Sequence, residues 1–202
     1  MNKEAALKSI EELLGARAST ADVRRVAYSH DMGTLPDMVK KFIKTTPDLV
    51  VQPESEEEIE QIATIAAKAQ LPLVPRGSAS SGYGGAMPAS GGVVVDMYRM
   101  RGPVSVDANA MTATADAASV MEDLDLELRE QGFMMPIMPT SSPSATIGGF
   151  VCQGGCGIGS CRQKTMRDSL VAVRIVLGDG TARTLAGEDL DLVYGMEGIT
   201  GI

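Results

Sequence analysis

The chain has 202 residues, enough to bury a sizeable core as one domain or as two small lobes. It is 44% hydrophobic and 22% charged, with 22 glycines, few aromatics and no tryptophan, which favours tight backbone approaches over aromatic stacking platforms. A formal charge of −8 without any cluster of lysine and arginine argues against nucleic acid as a partner, because phosphate contacts need such clusters.

The N-terminal "MNKEAALKSIEELLG" predicts an amphipathic helix over residues 2–14, with Ala6, Ile10, Leu13 and Leu14 on one side and Gly15 as its stop. It lacks the apolar core of a signal peptide. No apolar run anywhere approaches the roughly 20 residues that span a bilayer, so no integral membrane segment is expected. "YSHDMGTLPD" reads as a polar, turn-rich passage, with His30 exposed rather than catalytic. "PDLVVQP" reads as a strand and "SEEEIEQIATIAAKAQ" as a helix opened by a Ser55/Glu58 capping box, whose acidic first turn complements the helix dipole. Its buried stripe is Ile59, Ile62, Ala63 and Ala66. "LPLVP" is a second strand, "RGSASSGYGGAMPASGG" a long loop and "VVVDM" a third strand, an order that implies a small lobe with a parallel pair.

A second lobe is expected from near Met100. "PVSVD" and "MTATADA" read as strands, and "SVMEDLDLELREQG" as a helix with a second capping box, Ser119/Glu122, ending at Gly132. "FMMPIMPTSSPSATIGG" is too rich in proline and serine for regular structure. "DSLVAVRIVLGDGTARTL" reads as two strands joined at Asp179-Gly180. Thirteen methionines are expected mostly in the core, with Met134, Met135 and Met138 also candidates to line a ligand. The fold class is α+β in two lobes, with three polar, glycine-rich segments facing a common place.

The first of these segments, "PRGSASSGYGG", has the backbone N–H groups and hydroxyls that suit a pyrophosphate, and Arg76 adds charge-assisted donors. A flexible surface loop is the alternative. No Walker A motif is present, because Gln163 stands where Lys164-Thr165 would need a glycine. The glycines at 155–159 follow no strand, so they do not make a Rossmann fingerprint. Cys152, Cys156 and Cys161 are spaced C-x3-C-x4-C, unlike zinc or ferredoxin sites, and the single histidine is far away in sequence. They read as small residues of a glycine loop, against the alternatives of a three-cysteine cluster or a reactive thiol pair. No metal site is expected, and three cysteines that cannot close a disulfide framework point to a reducing, cytoplasmic setting.

Taken in order, "YSHD", "PDLVVQPESEEEI", "PRGSASSGYGGA", "GGVVVDMYRM", "PTSSPSATIGG", "MRDSLVAVRIVLGDG" and "EGITGI" resemble the FAD-binding domain of the vanillyl-alcohol oxidase and p-cresol methylhydroxylase superfamily, in its glycolate oxidase and D-lactate dehydrogenase branch. The resemblance runs from about Tyr28 to Ile202. It implies a leading segment over 1–46 and an FAD-binding domain over 47–202, divided into lobes at 47–98 and 99–202. It further implies a substrate cap domain after residue 202. Carried over by position, Arg76, Gly77, Ser78, Ala79, Ser80, Ser81, Gly84 and Gly85 would wrap the diphosphate. Ser141, Ser142 and Thr146 would donate hydroxyl contacts, and Gly148 and Gly149 would let the backbone approach the flavin, unless they merely form a tight turn. Gly157 falls on a glycine of the second loop, and Glu197 and Ile202 would lie toward the adenine. The first loop lacks the histidine through which some members attach FAD, so the flavin is expected to be non-covalent. Gln163-Lys164 departs from the tyrosine-glycine of many relatives, and the loop around Gly154 and Cys156 is unusual. The implied activity is a flavin-linked oxidation of a small 2-hydroxy acid, with electrons passed to a quinone, flavoprotein or iron–sulfur partner. The catalytic residues are not identified. The alternatives are a superfamily flavoenzyme with another substrate and a non-catalytic FAD-binding or electron-transfer subunit.

Overall fold

The computed structural model describes the chain except for Thr34, Lys44 and the side chain of Lys40. Asn2 accepts from the Ala5 amide at 2.8 Å and so caps α1 (Lys3–Leu14). Ala6, Ile10 and Leu14 are buried and Leu13 packs against them, as the helical spacing predicts. After β1 (Ala18–Ser19), α2 (Asp22–Ala27) and α3 (Asp37–Lys40), the predicted strand–helix–strand unit follows as β2 (Leu49–Val51), α4 (Glu56–Lys68) and β3 (Leu73–Arg76). The third strand, β4 (Val93–Asp96), slots between β2 and β3 and runs parallel to both, and β1 closes the sheet antiparallel to β2. Leu49, Val50, Val51, Val93, Val94 and Val95 are all buried, the continuous apolar run of strands covered on both faces. Ile59, Ile62, Ala63 and Ala66 of α4 meet α1 and one face of this sheet in a single core.

Only half of the first capping box forms. Ser55 Oγ accepts from the Glu58 amide at 3.3 Å, but the Glu58 carboxylate turns away from the Ser55 amide. It accepts instead from the Glu54 amide at 2.8 Å and grips both Arg17 Nη atoms, at 2.6 and 2.5 Å. A bidentate cation outcompetes a neutral donor.

The second lobe begins with β5 (Ser105–Asp107) and β6 (Thr112–Thr114), an antiparallel pair. The second predicted capping box is absent. α5 (Met121–Glu130) starts after Val120, and neither Ser119 nor Glu122 caps it by a side chain. Its first amides are served from a distance: Met121 N donates to Ala145 O at 2.8 Å and Glu122 N to Ser142 O at 3.1 Å. The proline-serine segment thus replaces a local cap. That segment is irregular up to Thr146, and its last residues open α6 (Ile147–Cys152). α7 (Ser160–Gln163), α8 (Met166–Ser169) and the predicted hairpin of β7 (Ala172–Val176) and β8 (Ala182–Ala186) complete the order. Met121, Leu124, Leu128, Ile137, Phe150 and Val151 form the core of this lobe.

The hairpin ties the lobes together. Arg174 makes a bidentate pair with Glu56 at 2.7 and 2.9 Å, and Val176 enters the core of the first lobe. The methionines depart from expectation: only Met97, Met121, Met135 and Met166 are buried, whereas Met1, Met32, Met38, Met111, Met134 and Met196 are exposed. Among the described residues, no helix is long and apolar enough to cross a membrane.

Candidate functional site

The loop after β3 leaves the carboxyl end of a parallel strand, the end at which open α/β sheets place ligands. Leaving Arg76, it carries Ser78, Ala79, Ser80, Ser81 and Gly82 in succession. No described residue accepts a hydrogen bond from any of those five amides. Ala79 has φ +53, the left-handed conformation that occurs in backbone turns that bind anions. A run of unclaimed donors flanked by the Ser78 and Ser80 hydroxyls has the chemistry that suits a diphosphate.

Other segments close around this loop. Thr146, 4% exposed, caps α6 by accepting from the Gly149 amide at 3.3 Å. Its hydroxyl lies so close to Gly77 that a Cβ there would overlap it. Gln153 Nε2, just past α6, donates to Ser81 Oγ at 2.9 Å. Glu197 sets its carboxylate against Gly85, where a Cβ would again overlap, and anchors its own amide on Cys152 O at 2.8 Å. The structure therefore brings all three glycine-rich segments together.

The remaining candidates are spread further. Arg76 Nη1 donates to His30 O at 2.9 Å and Ala86 O at 3.3 Å, and the guanidinium lies 4.9 Å from the centre of the Tyr28 ring. It braces the loop from below, and burial pulls its pKa down. Gly84 donates to Asp31 Oδ2 at 2.7 Å. Gly148 packs against Ala117, with its virtual Cβ 2.9 Å from that carbonyl, whereas Gly149 is exposed. Ser141 and Ser142 are half-buried and spend their carbonyls on Ser144 and on the start of α5. Gly157 packs against the Met138 carbonyl. Ile202 exchanges hydrogen bonds with Val176, at 2.9 and 2.7 Å, beside a recess of about 200 Å³ lined by α4, Pro75 and residues 198–202. Met135 points into the core, so of the three methionines only Met134 is freely exposed.

Several residues of the site escaped the pattern reading. Asp31 is buried, accepts from Gly33 N at 2.8 Å as well as from Gly84 N, and holds the loop from outside. Asp96, at the end of β4, accepts from Tyr28 Oη and Gln52 Nε2, both at 2.6 Å, and caps the next turn at Tyr98 N. Burial, then the Asp96 bond, pushes the Tyr28 hydroxyl up to about 12. The Asp-x-Gly spelling at 31–33 is an Asx-turn signal that would have drawn attention to Asp31.

The cysteines do not converge. Cys152 is half-buried, its thiol pushed up by burial and by the Glu197 carboxylate, whereas Cys156 and Cys161 are exposed and all three are unpaired. Among the described residues, no three His, Cys, Asp or Glu side chains approach as metal ligands would.

Residues 47–186 match the FAD binding domain family. The chain is 30% identical over 187 residues to "Glycolate oxidase subunit GlcD" of Bacillus subtilis (strain 168), covering 88% of this chain and 38% of that protein. It is 32% identical over 165 residues to "D-lactate dehydrogenase [cytochrome], mitochondrial" of Arabidopsis thaliana, covering 77% and 29%. Among solved structures, an alkyldihydroxyacetonephosphate synthase superposes with a TM-score of 0.86 at 26% identity, covering 100% of this chain and 39% of that one. The chain thus spans well under half the length of these relatives. Matched over most of its residues and carrying a cradle of backbone donors at the carboxyl end of its sheet, the chain belongs to the FAD binding domain family, in its two-lobed α+β fold, and its cofactor is FAD.

Proposed function

We propose that the chain is the FAD-binding part of a flavin-linked oxidoreductase that oxidises a small 2-hydroxy acid of the glycolate or D-lactate kind. The likeness to the Bacillus subtilis and Arabidopsis thaliana proteins supports this reading. The observation that carries it is the run of amides from Ser78 to Gly82 without a protein acceptor. In this reading those amides, with the Ser78 and Ser80 hydroxyls, bind the diphosphate. Gly77 and Gly85 let Thr146 and Glu197 close over the loop. Exposed Gly149 offers a close approach for the ring system, and Ser141, Ser142, Gly157 and Ile202 complete the rim. When bound, FAD supplies the acceptor for a hydride from the substrate α-carbon, and the protein supplies binding, orientation and electrostatics. No histidine lies in the first loop, so the flavin is held non-covalently.

Residues 47–98 and 99–202 serve as the two lobes and 1–46 as a leading segment, with substrate contacts made mainly by a cap domain beyond residue 202. The electrons pass on to a quinone, flavoprotein or iron–sulfur partner, in the cytoplasm. A second reading, a superfamily flavoenzyme with another substrate, is favoured by the superposition on alkyldihydroxyacetonephosphate synthase.

The test is the visible spectrum of the purified protein and the identity of the cofactor released by heat. The expected result is a flavin spectrum and free FAD, with bleaching by glycolate or D-lactate in the protein that carries a substrate domain. Failure to take up FAD would overturn the proposal, and uptake without bleaching by either acid would favour the second reading.

A further inference from the structure

The first loop is held along one side by a stretch that lies outside the matched residues 47–186. From Tyr28 to Gly33 the backbone runs beside residues 81–84. Met32 N donates to Ser81 O at 3.0 Å, and Gly33 lies so close that a Cβ would overlap the Gly82 carbonyl. His30 O accepts from Arg76, and Tyr28 stacks on the same guanidinium while its hydroxyl reaches Asp96. Between these contacts sits the Asp31 carboxylate, 7% exposed. Its Oδ1 accepts from Gly33 N at 2.8 Å, and its Oδ2 accepts from Gly84 N at 2.7 Å. One side chain therefore closes an Asx turn in its own segment and pins the far end of the first loop.

We infer that Asp31 is a positioning residue for the FAD loop: by fixing Gly33 and Gly84 at once, it holds residues 78–82 in the shape that presents their amides together. This rests on the reading that those amides hold the diphosphate. A loop already held in its bound shape does not spend binding energy on ordering. Two amide donors converge on Asp31, so a carboxylate is the side chain that serves both. An asparagine offers one oxygen and turns an N–H toward the other donor, leaving a buried amide unsatisfied.

Charge and position predict opposite outcomes, which makes the inference sharp. A carboxylate beside a diphosphate repels it, so the neutral Asp31→Asn variant would bind FAD more tightly if charge dominated. If position dominates, it binds more weakly. The experiment titrates FAD into the cofactor-stripped native chain and into Asp31→Asn. It also follows amide hydrogen exchange across the chain, with and without FAD. The expected result is FAD binding weaker by roughly ten-fold or more. Faster exchange should be confined to 31–33 and 81–85, within an otherwise unchanged exchange pattern. If Asp31→Asn does not fold, Gly33→Ala reads the same clasp, because its methyl group wedges 33 from 82 while leaving the carboxylate in place. Binding equal to or tighter than native in the variant that folds overturns the inference. If the native chain binds FAD without slowing exchange at 78–82, the diphosphate reading falls and the inference falls with it. If binding slows exchange there and only the variant's effect is missing, the inference alone falls.

Discussion

Gly148 and Gly149 are neighbours in sequence that do different work. Gly148 faces protein: a Cβ would sit 2.8 Å from Ala117 Cβ and 2.9 Å from its carbonyl oxygen, with little room for either to move. Gly149 is exposed and meets only Thr146 Oγ1, at 3.0 Å. Gly148→Ala is therefore expected to cost about 1–3 kcal/mol of stability, read by urea unfolding. Gly149→Ala should leave stability within about 0.5 kcal/mol of native or raise it slightly, since alanine is the better helix former. Its effect should appear in FAD affinity instead. A large loss of stability in Gly149→Ala with FAD binding intact would contradict this division. The cysteines belong to the same scale: replacing Cys152, Cys156 and Cys161 together by serine is expected to leave FAD bound, as judged by the visible spectrum.

Among the elements, α4 is the hub. Its stripe fills the core of the first lobe, its first turn holds Arg17 and Arg174, and its middle receives the hairpin turn. Hydrogen bonding to Arg17 is the main cause that lowers the Glu58 pKa below the usual carboxylate range. A depressed folded-state pKa means that the pair's stabilisation is complete above the unfolded-state value of about 4.3 and is lost as pH falls through the lower folded-state value. Glu58→Gln should therefore flatten the acid limb of a stability–pH curve below pH ~4.5, with its difference from native constant above it. A variant whose acid limb matches the native one would show that the pair contributes nothing. The capping boxes belong here too. Ser55 and Ser119 occupy equivalent sequence patterns, yet Ser119 does not cap, because the proline-serine segment reaches α5 first.

For the whole molecule, the hairpin links the lobes. Gly180 has φ +88 and touches the Glu60 carbonyl and Thr64 of α4, so Gly180→Ala combines backbone strain with overlap. It should lower the Tm of a single cooperative transition rather than split it, as followed by calorimetry. The proposed FAD contacts, drawn from both lobes, should act on the same transition. At a free concentration of 100 times Kd, FAD should add about 2.7 kcal/mol of stability, seen as a concentration-dependent rise in Tm. A Tm indifferent to FAD would argue against a site made by the folded chain.

Much of this protein was legible in the sequence by itself. The sequence placed α1, α4, α5 and the strands other than β1; the three helices each bury an apolar stripe, and β2 and β4 each bury an apolar run. Motif order pointed to an FAD-binding family by resemblance, whereas the glycine-serine loop by itself left a flexible surface loop open. What the tertiary structure alone decided was the pairing. It inserted β4 between β2 and β3, sent the Glu58 carboxylate to Arg17, and gave the α5 amides to distant carbonyls. It also set Asp31 against Gly84, 53 residues on, and turned Cys156 and Cys161 outward. The reason is the same in each case: a hydrogen-bonding group takes the partner that folding brings nearest, and distance along the chain does not reveal it. Within residues 148–161, Gly148, Gly157 and Gly159 are thus explained by the backbone that packs against them, that of Ala117, Met138 and Pro136, whereas Cys156 and Cys161 face outward.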